Sequence, residues 1–234
     1  IVWFRMSEWS SAPVPFTAAS GAVVVLRIWR HSRKALIGIA LLGLVLVPVV
    51  FPLVFEASGG QAEVDYSWGG RLVLYRAVIG LANRNPLLGL GPAAYRHYGF
   101  VHWLSLGAGS ALYIRPNVSS HNNYIDIYAQ AGLVGLSLFL WFLVEVGAMG
   151  WRLKDRFPGD FADGYVNGTL GGLAGSLVAM MLVDWFLPYV YNTGFDAFRT
   201  SALAWMFLGG LMALEHSLPA EATAASIIPP VSGT

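Results

Sequence analysis

The ionisable side chains able to share one site gather in residues 56–123 and just beyond. Arg71, Arg76, Arg84, Arg96 and Arg115 lie there, with no lysine among them. A guanidinium presents a rigid fork of donors and never deprotonates, which suits bidentate capture of phosphate or carboxylate. His121 follows, within Ser119-Ser120-His121-Asn122-Asn123-Tyr124. An imidazole titrates near neutrality, so it can accept a proton from an attacking hydroxyl or donate to an anion. On local grounds it reads equally well as a polar residue at a membrane surface. Asn122 can donate and accept, and so can fix either the histidine or a sugar. Asp126 stands about one turn beyond His121 and is a candidate to orient it, although a five-residue offset is not that of a helical neighbour pair. Asp184 is either an acid facing a polar cavity or a snorkelling polar residue at the end of an apolar stretch. His97 and His102, with Tyr98 and Trp103, offer a sugar platform or interfacial anchoring. A zinc site from His97, His102 and His121 is not expected, because their spacing fits no compact ligand pattern. The chain has no cysteine, which removes thiolate sites and disulfides alike.

These residues need elements to hold them. Leu72, Tyr75, Ile79 and Ala82 recur at spacings of three and four, which predicts a helix over residues 71–83. On it Arg71 and Arg76 stand about 140° apart, so they do not share a face. Asn85-Pro86 ends the helix. Gly89-Leu90-Gly91-Pro92 then reads as a tight turn, not a dinucleotide fingerprint, since the third glycine and the leading strand are missing.

The rest of the chain is apolar. Of 234 residues, 56% are hydrophobic and only 12% charged, about half the charge of a soluble domain. Mean hydropathy is +0.59. Disorder and nucleic-acid binding are both excluded, the first by the apolar content and the second by a net charge of +1. A spanning helix needs about 20 apolar residues. Stretches meeting this run over about 35–55, 124–149, 168–187 and 194–214. Pro13 to Leu26 is apolar but short, and reads as the tail of a further span. Arg27, Arg30, Arg33 and Lys34 precede the first clear span, and Arg152, Lys154 and Arg156 follow the second. Basic residues collect in short cytoplasmic loops, so both clusters are expected inside and residues 56–123 outside. The fold expected is all-α: a polytopic transmembrane helix bundle with a large external loop containing short amphipathic helices. Residues 1–34 form an incomplete or divergent N-terminal region, 35–217 the membrane domain, and 218–234 a disordered tail rich in Ala, Ser and Pro. Ile1 begins in mid-pattern, so the chain is expected to be the C-terminal part of a longer membrane protein. Gly168, Gly171, Gly172 and Gly175 make two overlapping Gly-xxx-Gly pairs, a signature of close helix packing.

Two groups of residues then resemble a family. Arg71, Tyr75 and Asn85-Pro86-Leu87-Leu88-Gly89-Leu90-Gly91 are similar to its arginine, aromatic and Asn-Pro-Leu-Leu-Gly-Val-Gly pattern. His121-Asn122-Asn123-Tyr124-Ile125-Asp126, with Ala131-Gly132-Leu133-Val134-Gly135, is similar to its His-Asn-x-Tyr-Leu and Gly-Leu-Ile-Gly signature. Together they resemble the O-antigen ligase and polymerase superfamily of bacterial inner-membrane glycosyltransferases. The resemblance implies transfer of a glycan from a polyprenyl-diphosphate carrier, such as undecaprenyl diphosphate, to a hydroxyl of lipid A core or another glycan. It implies Arg71 on the diphosphate and His121 as the essential histidine, acting as general base or as a further diphosphate ligand. Arg76, Asn122, Arg96 and Arg115 are the expected substrate contacts, although a solvated or headgroup-facing charge is the plainer role for each arginine. No metal or other cofactor is implied, and the partners are the lipid-linked glycan, its acceptor and membrane lipids, with no nucleic acid. One element of the family pattern is missing. Members often carry a Ser-Arg-Gly type motif with a second arginine, where this chain has Thr17-Ala18-Ala19-Ser20-Gly21-Ala22. The competing reading is a transporter or other non-catalytic protein on the same scaffold, which should show broken helices or paired repeats.

Overall fold

The computed structural model describes residues 13–32, 34–35, 37, 60–94, 104–105, 111–112, 120–184, 186–187 and 195–218. Among the described residues five long helices dominate: α1 (Pro13–His31), α2 (Gly60–Ala82), α3 (Asn123–Leu153), α4 (Phe161–Leu182) and α5 (Phe195–Ser217). A two-residue antiparallel ladder, β1 (Leu104–Ser105) and β2 (Ala111–Leu112), pairs Leu104 with Leu112. The expected first span, apart from residues 35 and 37, and the tail from 219 onward lie outside the described residues.

Helices α3 and α4 are long and apolar enough to cross a membrane. Helix α5 covers the expected fourth stretch, while α4 starts seven residues earlier than the apolar run and stops at Leu182. Many large apolar side chains on these helices face outward, among them Leu138, Trp141, Val144, Met181 and Met206. That suits a lipid surround, where an apolar exterior carries no penalty. Glu145 on α3 is accommodated by Trp141, whose Nε1 donates to it at 2.9 Å one turn away.

Helix α1 carries the short apolar stretch that begins at Pro13. It runs for 19 residues, because its prolines sit in the first turn, where their missing N–H groups would be unpaired anyway. It packs along α4 at glycines. A Cβ on Gly175 would lie 2.8 Å from the Pro15 carbonyl oxygen, and one on Gly171 would lie 2.9 Å from that of Ala19. The glycine pattern thus marks close packing at Gly171 and Gly175. At Gly168 and Gly172 a Cβ would meet nothing within 4 Å. Those two line an apolar groove of about 390 Å³ between α4 and α5, together with Gly164, Phe186 and Phe207.

Ion pairs tie one end of the bundle. Arg27 of α1 meets Asp163 at the start of α4 at 2.7 Å, and Arg152 of α3 meets Glu215 of α5 at 2.9 Å. A turn over residues 154–160 joins α3 to α4 at this same end, with Asp155 and Gly159 at φ 74° and 79°. Between the helices Leu143, Val146 and Met149 pack with Val166, Leu173, Met180, Leu208 and Leu211.

The segment between α1 and α3 holds a longer helix than expected. Helix α2 starts at Gly60, eleven residues before Arg71, and runs for 23 residues instead of forming short amphipathic pieces. It docks through Leu74, Ala77, Val78 and Leu81 onto Ala129, Ile125 and Tyr128 at the start of α3. The Tyr128 hydroxyl donates to Asn83 Oδ1 at 2.6 Å across this contact.

Candidate functional site

Helix α3 is broken near the end where α2 docks. Gly132 has φ 65° and ψ −164°, which interrupts the helical ladder. A break orphans carbonyls on one side and N–H groups on the other. The turn after α2 supplies partners for both. Leu90 and Gly91 donate to the carbonyls of Ala129 and Gln130 at 2.8 and 3.0 Å. Leu133 and Val134 donate to the carbonyls of Pro86 and Leu87 at 2.8 and 3.1 Å. Gln130 adds a side-chain contact, its Oε1 accepting from Ala93 N at 3.1 Å. The two glycine-bearing sequence motifs are therefore two halves of one backbone clasp. Glycine is required on both sides. A Cβ on Gly89 (φ 72°) would lie 2.5 Å from the Gln130 carbonyl carbon, and one on Gly132 would overlap the Leu87 carbonyl.

The clasp sets the first half of α3 beside α2 and the end of α4. Asn122 caps α3: its Oδ1 accepts from Tyr124 N at 3.0 Å and Ile125 N at 3.1 Å. Its Nδ2 donates to the Met181 carbonyl at 3.2 Å, one of the orphan acceptors in the last turn of α4. The Tyr75 hydroxyl donates to the same carbonyl at 3.3 Å. Three hydrogen bonds thus hold the Asn122 amide to the protein beside His121.

His121 precedes that cap with φ 54°, a left-handed backbone that costs a non-glycine residue energy. Its ring is about half exposed, and Nδ1 lies 3.7 Å from Oδ2 of Asp184, which is only 4% exposed. Asp184 follows the end of α4 in a non-helical stretch held by Trp205, whose Nε1 donates to the Phe186 carbonyl at 2.9 Å. Arg71 acts on this group through Tyr75, one turn along α2. Burial raises the Tyr75 phenol above its ordinary range; the bond to Asn122 and the Arg71 charge oppose that rise, and Asp184 and Asp126 add to it. One tyrosine on α2 thus feels Arg71, Asn122, Asp126 and Asp184 together, and it stays a neutral donor.

Not every expected residue comes to this point. Arg76 is exposed on another face of α2, as the spacing requires. Arg96 and Arg115, like His97 and His102, lie outside the described residues. Asp126 is fully buried and accepts from Ser120 Oγ at 2.7 Å, so the carboxylate beside the imidazole is Asp184 instead. Ser120 has no signature in the sequence that would single it out. Among the described residues no three His, Asp or Glu side chains gather closely enough to hold a metal ion.

The family model described as O-Antigen ligase matches residues 9–140, more than half of the chain. No curated protein and no solved structure matches the chain.

Proposed function

The chain belongs to the O-antigen ligase family of membrane proteins, which act on lipid-linked glycans and acceptors, and from that premise we propose that it is a glycan transferase. The donor is a glycan on a polyprenyl diphosphate, the acceptor a hydroxyl of lipid A core or of another glycan. The reaction takes place at the outer face of a bacterial inner membrane that the chain crosses several times. The observation carrying this reading is the approach of His121 to Asp184, beside a Tyr75 that feels both Arg71 and Asp184, at the end of the bundle opposite its ion-paired basic end.

The chemistry follows from the residue types. The acceptor oxygen attacks the anomeric carbon, the bond from that carbon to the diphosphate oxygen breaks, and the acceptor proton passes to His121. The diphosphate leaves with the electron pair, and Arg71 stabilises the charge that grows on it. A carboxylate 3.7 Å from Nδ1 is placed to stabilise the positive charge that the ring gains when it takes the proton. This favours the general-base role, because a carboxylate so close to the ring would repel a diphosphate bound there. Arg76 is placed at the rim for the glycan or headgroups, and Arg96 and Arg115 are proposed as further substrate contacts. The groove between α4 and α5 ends at Phe186, two residues from Asp184, and its apolar lining suits an isoprenoid chain.

The broken helix bears on the transporter alternative. Transporters use the freed backbone groups of such breaks to bind substrate or ions. Here the groups flanking Gly132 are taken by residues 86–91.

The test uses the full-length protein in proteoliposomes with the lipid-linked glycan fraction of the producing cells. His121→Ala and His121→Gln should slow donor consumption by about 10²–10⁴-fold, the range for loss of a general base. His121→Arg should fail equally, whereas a pure diphosphate ligand would tolerate it. Arg71→Lys keeps the charge, loses the fork, and should lose transfer severely. Wild-type turnover in all three histidine variants would sink the reading.

A further inference from the structure

His121 adopts an unfavourable backbone, and its neighbours on both sides are pinned. After it, Asn122 is fixed by the helix cap and by the Met181 carbonyl. Before it, Ser120 is fully buried. The Ser120 hydroxyl has one proton and two acceptors within reach, the Asp126 carboxylate at 2.7 Å and the Asn122 carbonyl at 2.9 Å. The shorter bond, to the charged acceptor, takes the proton. Ser120 Oγ in turn accepts from Asn122 N at 3.2 Å, bridging across His121. Asp126 is itself fully buried in the first turn of α3, where the helix dipole favours a negative charge.

We propose that the Ser120–Asp126 hydrogen bond is a positioning device for His121, locking its backbone in the left-handed conformation that turns the imidazole toward Asp184. The inference rests on the catalytic role proposed for His121, and it assigns to Asp126 an indirect action through Ser120. The alternative is that the pair merely stabilises the start of α3. A structural pair would matter whether or not residue 121 is a histidine. A positioning pair matters only when it is.

That difference is read by a double-mutant cycle. Turnover is measured in the full-length protein, in proteoliposomes carrying the producing cells' lipid-linked glycan fraction, with enzyme in excess of donor. Ser120→Ala should slow donor consumption by about tenfold to a hundredfold, the scale of a misplacement near 1 Å. Ser120→Thr, which keeps the hydroxyl, should restore most of the rate. In a His121→Ala background, Ser120→Ala should cause no further loss. Asp126→Asn, close in size and still an acceptor, serves as the second entry into the cycle should Ser120→Ala not assemble. It should show a smaller loss with the same dependence on His121. A loss that persists undiminished in the His121→Ala background, or no loss in either variant, would overturn the proposal while leaving His121 catalytic. A silent His121→Ala would instead remove the reading on which the proposal rests.

Discussion

At residue 121 the backbone and the side chain make opposite demands. The chemistry needs an imidazole, whereas φ 54° suits glycine. The left-handed conformation costs an L-residue about 1–2 kcal/mol, and such strain persists only where the surroundings over-determine it. His121→Gly should therefore be more stable than His121→Ala by about 1 kcal/mol, although both lose transfer. Unfolding of the two purified variants in detergent checks the ranking. An alanine variant as stable as the glycine variant would mean that the backbone relaxes once the ring is gone.

Among the elements, the clasp decides where the site forms, and its glycines are not equivalent. Gly89→Ala and Gly132→Ala place a Cβ on a facing backbone and at positive φ. Each should cost about 2–5 kcal/mol, the left-handed penalty and overpacking combined. Gly91, with φ 96°, faces open space. Gly91→Ala should thus cost only the conformational part, about 1–2 kcal/mol. Thermal unfolding of the three variants would show this order, and equal losses would argue that the clasp is looser than its hydrogen bonds imply. The same logic separates neighbours on α4. Gly171→Ala drives a methyl into Val23 of α1, while Gly172→Ala meets nothing and gains up to about 1 kcal/mol of helix propensity. Only the first should weaken the docking of α1.

On the scale of the whole molecule, the helices have two chemically different ends. Arg27–Asp163 and Arg152–Glu215 close one, and His121 meets Asp184 at the other, beside a Tyr75 that feels the Arg71 charge. The proposed orientation puts the ion-paired end in the cytoplasm, where positively charged flanks are retained. Residues 1–234 hold no cysteine, so a single replacement adds one thiol to them. Arg84→Cys should react with an impermeant maleimide at the outer face of the inner membrane. Arg156→Cys should react only after that membrane is permeabilised. The reverse pattern would invert the protein and place the site on the wrong side for an outer-face reaction.

What the sequence determined by itself is local in origin. A spanning helix is a run of about 20 apolar residues, so α3 and α4 show in composition alone, and the spacing of Leu72, Tyr75 and Ile79 places the second half of α2. The side-chain chemistry was equally legible, since arginine forks and an imidazole declare what they can do. Tertiary structure decided the rest, because it depends on backbone groups meeting across long separations. The break at Gly132 is silent in the pattern: Ala131-Gly132-Leu133-Val134 is as apolar as any span, and only the arrival of residues 86–91 makes an interruption affordable. Likewise Asp184 was legible as a polar residue ending an apolar stretch. Its meeting with His121 is set by the packing of α4 against the first half of α3, and Ser120 acquires a role only because Asp126 is buried against it.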